Sequence, residues 1–172
     1  MTDVKPGVNP LFLREEELRQ GIELLFYAYR DFTSEPDAML AKLGLGRAHH
    51  RAIYFIGRNP SITVTELLSI LRITKQSLSR VLGDLVTKGL VTQKTGLRDR
   101  RQRLLELTER GMDLERQLSE TQRQRIAKAY RLAGAEAVEG FRKVMLGIID
   151  EGDQAMFMAR AERTPATRRR DA

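Results

Sequence analysis

The chain has 172 residues, no cysteine, 41% hydrophobic residues and a formal net charge of +7, and its length suits one domain or one domain with an extension. The lack of cysteine excludes disulfide bonds and thiol-based sensing. No apolar run of about 18 residues could span a membrane and no basic-then-apolar leader pattern is present, so we expect a cytoplasmic protein.

The first 60 residues predict two helices after a flexible lead-in at residues 1–11, which contain two prolines and a glycine. Residues 12–32 form the first helix, because apolar side chains recur at spacings of three and four, at Leu18, Ile22, Leu25, Phe26 and Tyr29. Pro36 should end it, with one or two further turns at residues 37–43. The second helix covers residues 47–57.

The only two histidines, His49 and His50, are neighbours in that second helix. Adjacent side chains on a helix point in different directions. No cysteine and no third histidine is available to complete a nitrogen and sulfur site, so we expect no metal. The simpler interpretation is that one histidine packs against the first helix and the other faces solvent.

Residues 61–108 follow the order of a winged helix-turn-helix. Thr63 and Glu66 have the spacing of a capping box, and an inward face follows at Val64, Leu67, Leu68 and Leu71. Residues 72–74 leave room only for a sharp turn, after which Thr74 can cap a second helix. The inward face of that second helix consists of Leu78, Val81, Leu82 and Leu85.

The opposite face of the second helix is polar and carries Lys75, Gln76, Ser77, Ser79, Arg80 and Asp84. A helix that reads DNA needs such residues at its amino end, since arginine or lysine can pair with guanine and glutamine with adenine. We predict base contacts from Lys75, Gln76, Ser77 and Arg80, and phosphate contacts from Thr74 and Ser79. For this helix taken alone, an ordinary solvated face is an equal alternative.

A hairpin with a strongly basic tip follows. Gly89 is placed to end the helix, residues 90–94 and 104–107 are strand-like, and the tip at residues 98–103 contains Arg98, Arg100, Arg101 and Arg103. Contact with a polyanion explains this clustering more simply than a merely soluble loop, and a narrow minor groove attracts arginine. Asp99 is placed to pair with one of these arginines and stiffen the tip.

The positive charge is concentrated, because residues 61–103 hold nine Lys/Arg and three Asp/Glu. Such a patch favours a nucleic-acid partner; no basic amphipathic helix with a Trp/Phe face indicates a membrane partner. Two long helices at residues 109–132 and 135–157 lie outside the winged domain, and the second has a seam typical of helix pairing. We expect a partner surface there, with an intramolecular core as the alternative, and a disordered basic tail at residues 158–172.

Four short motifs in one frame resemble the MarR family of bacterial transcriptional regulators, namely ITKQSLSR at 73–80, LVTKGLV at 85–91, DRR at 99–101 and LTERG at 107–111. The resemblance covers residues 12–157, and residues 44–52 and 73–77 most resemble the PetP-type subgroup. It implies a mainly α (α+β) fold with a winged helix-turn-helix at residues 61–108. The long helices at 12–60 and 109–157 would form a dimerisation domain.

The resemblance further implies a homodimer on a pseudo-palindromic operator in double-stranded DNA, with Arg101 favoured over Arg100 for the minor groove. Family members often bind a small aromatic or anionic effector in a crevice, which by position His50, Arg51 and Tyr54 would line; core or interface packing is the simpler alternative. We expect no cofactor and no catalysis, since no nucleophile–base pair or phosphate loop is found. A non-specific architectural or protein-interaction module stays open, whereas an RNA reader would show exposed aromatic residues, which residues 61–103 lack.

Overall fold

The computed structural model describes residues 10–96 and 99–163, and this part of the chain is mainly helical, as predicted. A short 3-10 helix at Leu11–Leu13 opens it. The elements that follow are α1 (Glu15–Ala41), α2 (Arg47–Arg58), β1 (Ile62–Thr63), α3 (Val64–Leu71), α4 (Lys75–Thr87), β2 (Val91–Thr95), β3 (Arg103–Leu107), α5 (Glu109–Ala133), α6 (Ala135–Ile148) and α7 (Glu151–Arg163). None of the helices in these residues is both long and apolar enough to cross a lipid bilayer.

The chain divides into two compact units, residues 1–125 and 126–172. The first unit contains the apolar core, whose fully buried side chains include Leu40, Ile53, Ile56, Leu67, Leu78, Leu85, Leu105 and Leu118. These residues come from α1, α2, both helices of the helix-turn-helix, β3 and α5. Since burial of each such side chain contributes about 1.5–3 kcal/mol, the core holds α3 and α4 firmly against the sheet.

The sheet has three antiparallel strands in the order β1-β3-β2, whereas the sequence pattern predicts only a two-stranded hairpin. β1 adds to the hairpin with Ile62 opposite Leu105. A strand of two residues is too short to show an alternating pattern, which is why the sequence does not reveal it. Thr95 pairs with Arg103 at the other end of the hairpin, so Arg103 belongs to a strand and not to the predicted tip.

The first helix is longer than predicted, because α1 continues through Pro36 to Ala41. A proline inside a helix lacks the N–H that would donate to the carbonyl four residues earlier, here that of Phe32. In this structure Nε2 of Gln122 donates to the Phe32 carbonyl oxygen at 3.2 Å. The prediction that Pro36 ends the helix is therefore wrong, since a side chain 90 residues away in sequence replaces the missing donor.

The last predicted helix, residues 135–157, is divided into α6 and α7. Ile149 is extended, with ψ at 138°, and Asp150 precedes α7 at a position where aspartate is favoured. α7 continues to Arg163, so residues 158–163 of the predicted disordered tail are helical. Residues 164–172 of that tail, and residues 1–9 of the predicted flexible lead-in, lie outside the described residues.

Candidate nucleic-acid interface

Two capped helices position the candidate DNA-reading surface, and both predicted caps are present. The N–H of Glu66 donates to Oγ1 of Thr63 at 3.1 Å, and the N–H of Thr63 donates to Oε2 of Glu66 at 2.8 Å. The Thr74 hydroxyl accepts the N–H of Ser77 at 3.1 Å. Between the helices Arg72 has a φ of 50°, in the left-handed region, which allows the predicted sharp turn.

α4 turns its apolar side to the core and its polar side to solvent. The four predicted inward residues, Leu78, Val81, Leu82 and Leu85, are buried. The six predicted DNA contacts are all exposed, at Thr74, Lys75, Gln76, Ser77, Ser79 and Arg80. The Thr74 hydroxyl donates to Oγ of Ser77 at 2.9 Å, so the Ser77 hydroxyl hydrogen stays free to donate elsewhere. The structure thus brings these residues together on the amino-terminal half of one rigid helix.

His49 contacts α4, a contact that the sequence pattern does not reveal. Its Nε2 lies 2.9 Å from Oδ2 of Asp84 on α4, and its Nδ1 accepts the N–H of Gly46 at 3.1 Å. His49 and His50 are both partly buried, so the prediction that one of the two faces solvent is wrong. The Asp84 contact joins residues 35 apart in sequence, and no local spacing signals a pair so distant.

A polar cluster across all three strands holds the base of the wing. The hydroxyl of Ser61, just before β1, donates to Oε1 of Glu106 on β3 at 2.9 Å. Lys94 on β2 forms an ion pair with the other carboxylate oxygen. The hydrogen bond from Lys94, followed by that from Ser61, lowers the pKa of Glu106. The charged Glu106 therefore ties β2 and the start of β1 to the central strand and orients the wing.

The wing tip is closed by backbone hydrogen bonds. The N–H of Gly96 donates to the carbonyl of Gln102, and the N–H of Gln102 donates to the carbonyl of Asp99, each at 3.0 Å. Oδ1 of Asp99 accepts the N–H of Arg101 at 2.9 Å. Asp99 thus stiffens the tip through the backbone of Arg101, which is a different contact from the predicted ion pair with an arginine side chain.

The predicted wing arginines have different surroundings. Arg100 and Arg101 are exposed at the tip. Arg103 lies on β3, where its Nη1 donates to Oγ1 of Thr95 at 3.0 Å. Arg98 lies outside the described residues. The described part of the tip therefore presents two exposed arginines, whereas Arg103 reaches across the hairpin to Thr95.

The three predicted crevice residues lie on α2, beside α1. Nη2 of Arg51 donates to the hydroxyl of Tyr29 on α1 at 2.8 Å. His50 is partly buried, and this burial lowers its pKa, although the nearby Asp37 carboxylate acts in the opposite direction. Tyr54 is exposed one turn further along α2. Among the residues that the structure describes, no group of three or more His, Cys, Asp or Glu side chains is arranged to hold a metal ion.

A capped helix-turn-helix with a β-hairpin beside it defines a winged helix protein. The model of the MarR family matches residues 43–102, which include both helices and most of the wing. A relative from Rhodobacter capsulatus is 54% identical over 149 residues, which are 87% of this chain and 90% of that protein. The chain therefore belongs to the MarR family of transcriptional regulators, as its motifs predict.

That relative is the HTH-type transcriptional regulator PetP, which agrees with the PetP-type motifs in the sequence. Solved structures with a similar fold include two that contain DNA. FabT from Streptococcus pneumoniae, solved in complex with DNA, has a TM-score of 0.67 at 19% identity and covers 76% of this chain and 94% of its own. MarR from E. coli, solved with operator DNA as a variant, has a TM-score of 0.59 at 22% identity and covers 83% and 100%.

Proposed function

We propose that this protein regulates transcription as a homodimer that binds a pseudo-palindromic operator in double-stranded DNA. The exposed amino-terminal half of α4 carries this proposal, because polar side chains able to read base edges stand there on a helix fixed by its cap and core. Arg80 suits guanine and Gln76 suits adenine. Lys75 and Ser77 are further candidates for base contacts, and Thr74 and Ser79 for phosphate contacts.

The wing supports the same proposal. Asp99 holds the backbone of Arg101, so this backbone loses little conformational freedom when a ligand binds. A guanidinium on such a tip suits the negative potential of a narrow minor groove. We assign this role to Arg101, with Arg100 beside it, and a supporting phosphate contact to Arg103. FabT and MarR, solved with DNA, make DNA the natural polyanion.

Apolar surface that a single chain leaves exposed supports the proposed homodimer. In the first unit, residues 14–31 of the chain are all exposed and include Leu18, Ile22, Leu25, Phe26 and Tyr29. In the second unit, α6 has no buried side chain, and Phe141, Val144 and Ile148 are exposed. Helices with such faces need a packing partner. A second copy of the chain would cover them, and a two-fold dimer would place its recognition helices about 34–36 Å apart.

An effector would act at the contact between α1 and α2, where Arg51 meets Tyr29. The exposed guanidinium of Arg51 and the hydroxyl of Tyr29, 2.8 Å apart, suit the carboxylate of a small aromatic anion, and His50 and Tyr54 lie on neighbouring turns. Such a ligand regulates only if it binds one arrangement of the dimer better than another. Addition of a panel of aromatic carboxylates to the operator complex should identify an anion that releases DNA from the wild type but not from Arg51→Gln.

The proposal is tested by selection from a random double-stranded DNA library at near-physiological salt, followed by sequencing of the bound fraction. We expect an inverted repeat whose half-sites are one helical turn apart. A Gln76→Ala variant should then change which half-site base is preferred more than it changes affinity for unrelated DNA. Binding without an enriched motif would replace operator recognition with a non-specific architectural role, and no DNA binding would favour a protein-interaction module.

A further inference from the structure

The two neighbours of His49 favour one tautomer of its neutral ring. Its Nδ1 lies 3.1 Å from the backbone nitrogen of Gly46, which can only donate, so Nδ1 accepts. The ring hydrogen of the neutral imidazole is therefore on Nε2, which lies 2.9 Å from Oδ2 of Asp84. The side chain of His49 is only 15% exposed. This packing limits the ring to the orientation that joins the first turn of α2 to α4.

Asp84 is an unusual residue for a surface that meets DNA, because it is the one acidic side chain in the α4 sequence, residues 75–87. Its side chain is 49% exposed, and a free carboxylate there would repel nearby phosphates. The Nε2–H of His49 gives this carboxylate a fixed position on the α2 side of the helix. The pair also connects α4 to a helix that is itself joined to α1, through Arg47 and Asp37 at 2.8 Å.

We propose that His49 is a positioning residue for operator recognition, which sets the orientation of α4 through its hydrogen bond to Asp84. Base contacts require side chains to lie within about 0.5 Å and 10–20° of their productive geometry. A small rotation of α4 about its axis would move Gln76 and Arg80 out of register with base edges while leaving phosphate contacts possible. This inference rests on the proposed function, and it predicts that His49 controls specificity more than total affinity.

Three substitutions of His49 test the contributions of its two hydrogen bonds separately. Glutamine can donate to Asp84 from its amide nitrogen, as Nε2 does. Asparagine is shorter and can accept the N–H of Gly46, as Nδ1 does, but does not reach Asp84. Alanine can do neither. We expect the ratio of operator affinity to unrelated-DNA affinity to fall about five- to tenfold for His49→Asn and His49→Ala, the scale of one hydrogen bond, and to be retained by His49→Gln.

Substitution of the partner completes the test. Asp84→Asn keeps an acceptor oxygen, so this variant should retain specificity. Asp84→Ala should lose specificity to the same extent as His49→Ala. The variant with both alanine substitutions should lose no more specificity than either single variant. Imidazole 15N spectra of the wild-type protein without DNA should show a protonated Nε2 and an unprotonated Nδ1, and this preference should weaken in Asp84→Ala. Urea unfolding of every variant shows whether a loss of specificity comes from a changed orientation of α4 or from a less stable fold.

The outcomes are distinct. A wild type that selects an operator while His49→Ala keeps the full specificity ratio would overturn the positioning role alone. A neutral ring that carries its hydrogen on Nδ1 would also overturn it, since Nε2 could not then donate to Asp84. Equal losses for His49→Gln and His49→Asn would assign the effect to general packing and reject the role of Asp84. A wild type that selects no motif would remove the proposed function and the positioning role together.

Discussion

Gly111 lies in the first turn of α5, close to the end of the wing. The backbone of another element leaves no room there for a side chain. A Cβ at this position would lie 2.0 Å from the carbonyl oxygen of Leu90. The same turn is held by Thr108, whose hydroxyl donates to the Gly89 carbonyl at 2.7 Å and accepts the N–H of Gly111 at 3.0 Å. The LTERG motif therefore closes the winged domain by a cap and by close contact between backbones.

Substitution of two helical glycines should have opposite effects on stability. Gly111→Ala should lower the free energy of unfolding by about 1–3 kcal/mol or more, because the backbone oxygen of Leu90 must move. Gly83→Ala, at a position in α4 where a Cβ has open space, should raise it by about 1 kcal/mol through helix propensity. Urea unfolding of both variants measures the difference. Equal changes in the two variants would show that the close approach at Gly111 is absent in solution.

His50 should make the stability of the protein depend on pH. Burial places the pKa of His50 in the folded state below its ordinary value, which is about 6.5 in an unfolded chain. The unfolded chain then binds more protons between the two values, so the contribution of neutral His50 is complete above about pH 6.5 and is lost as the pH falls below it. Urea unfolding at about pH 8 and about pH 5.5 should show a smaller decrease in His50→Gln than in the wild type. A decrease of the same size in both would exclude His50 as its source.

Among the elements, the described part of the wing is held at its base by Glu106 and at Arg101 by Asp99. Arg101→Ala should therefore weaken operator binding by about 1–3 kcal/mol, the scale of one specific contact, without changing the free energy of unfolding. A fluorescence titration with labelled operator measures the loss. Arg19→Ala, on α1, removes an equal charge from an exposed residue outside the winged domain, and should leave affinity almost unchanged. Equal losses in the two variants would indicate that net charge, and not the wing, determines affinity.

The elements differ in how far their sequences predict them. α3 and α4 are predictable because their caps lie within four residues, as between Thr63 and Glu66 and between Thr74 and Ser77. The passage of α1 through Pro36 is not predictable, because its compensation comes from Gln122, which is distant in sequence. The hydrogen bond between His49 and Asp84 cannot be predicted from the sequence, because these two residues are also distant in sequence.

At the scale of the whole molecule, the apolar face of α1 should determine the oligomeric state. Ile22 and Phe26 are 69% and 63% exposed in the single chain, and a charge buried between two such faces without a partner is strongly unfavourable. Ile22→Asp combined with Phe26→Asp should therefore convert a dimer to a monomer of 19.6 kDa, with weaker operator binding. Sedimentation velocity measures the mass, and Gln20→Asp is the matched control on the polar side of α1. A wild type that sediments as a monomer would contradict the proposed dimer.

The local features of this protein are predictable from its sequence: the MarR-family motifs, the helix caps, the turn before α4, and the polar face that carries Gln76 and Arg80. These features depend on residues a few positions apart, whose chemistry and spacing can be read directly. Four further features became visible only in the folded chain: the third strand, the continuous α1, the backbone role of Asp99 and the hydrogen bond between His49 and Asp84. Each of these depends on where the folded chain places a particular donor or acceptor. That position cannot be predicted from the spacing of residues in the sequence.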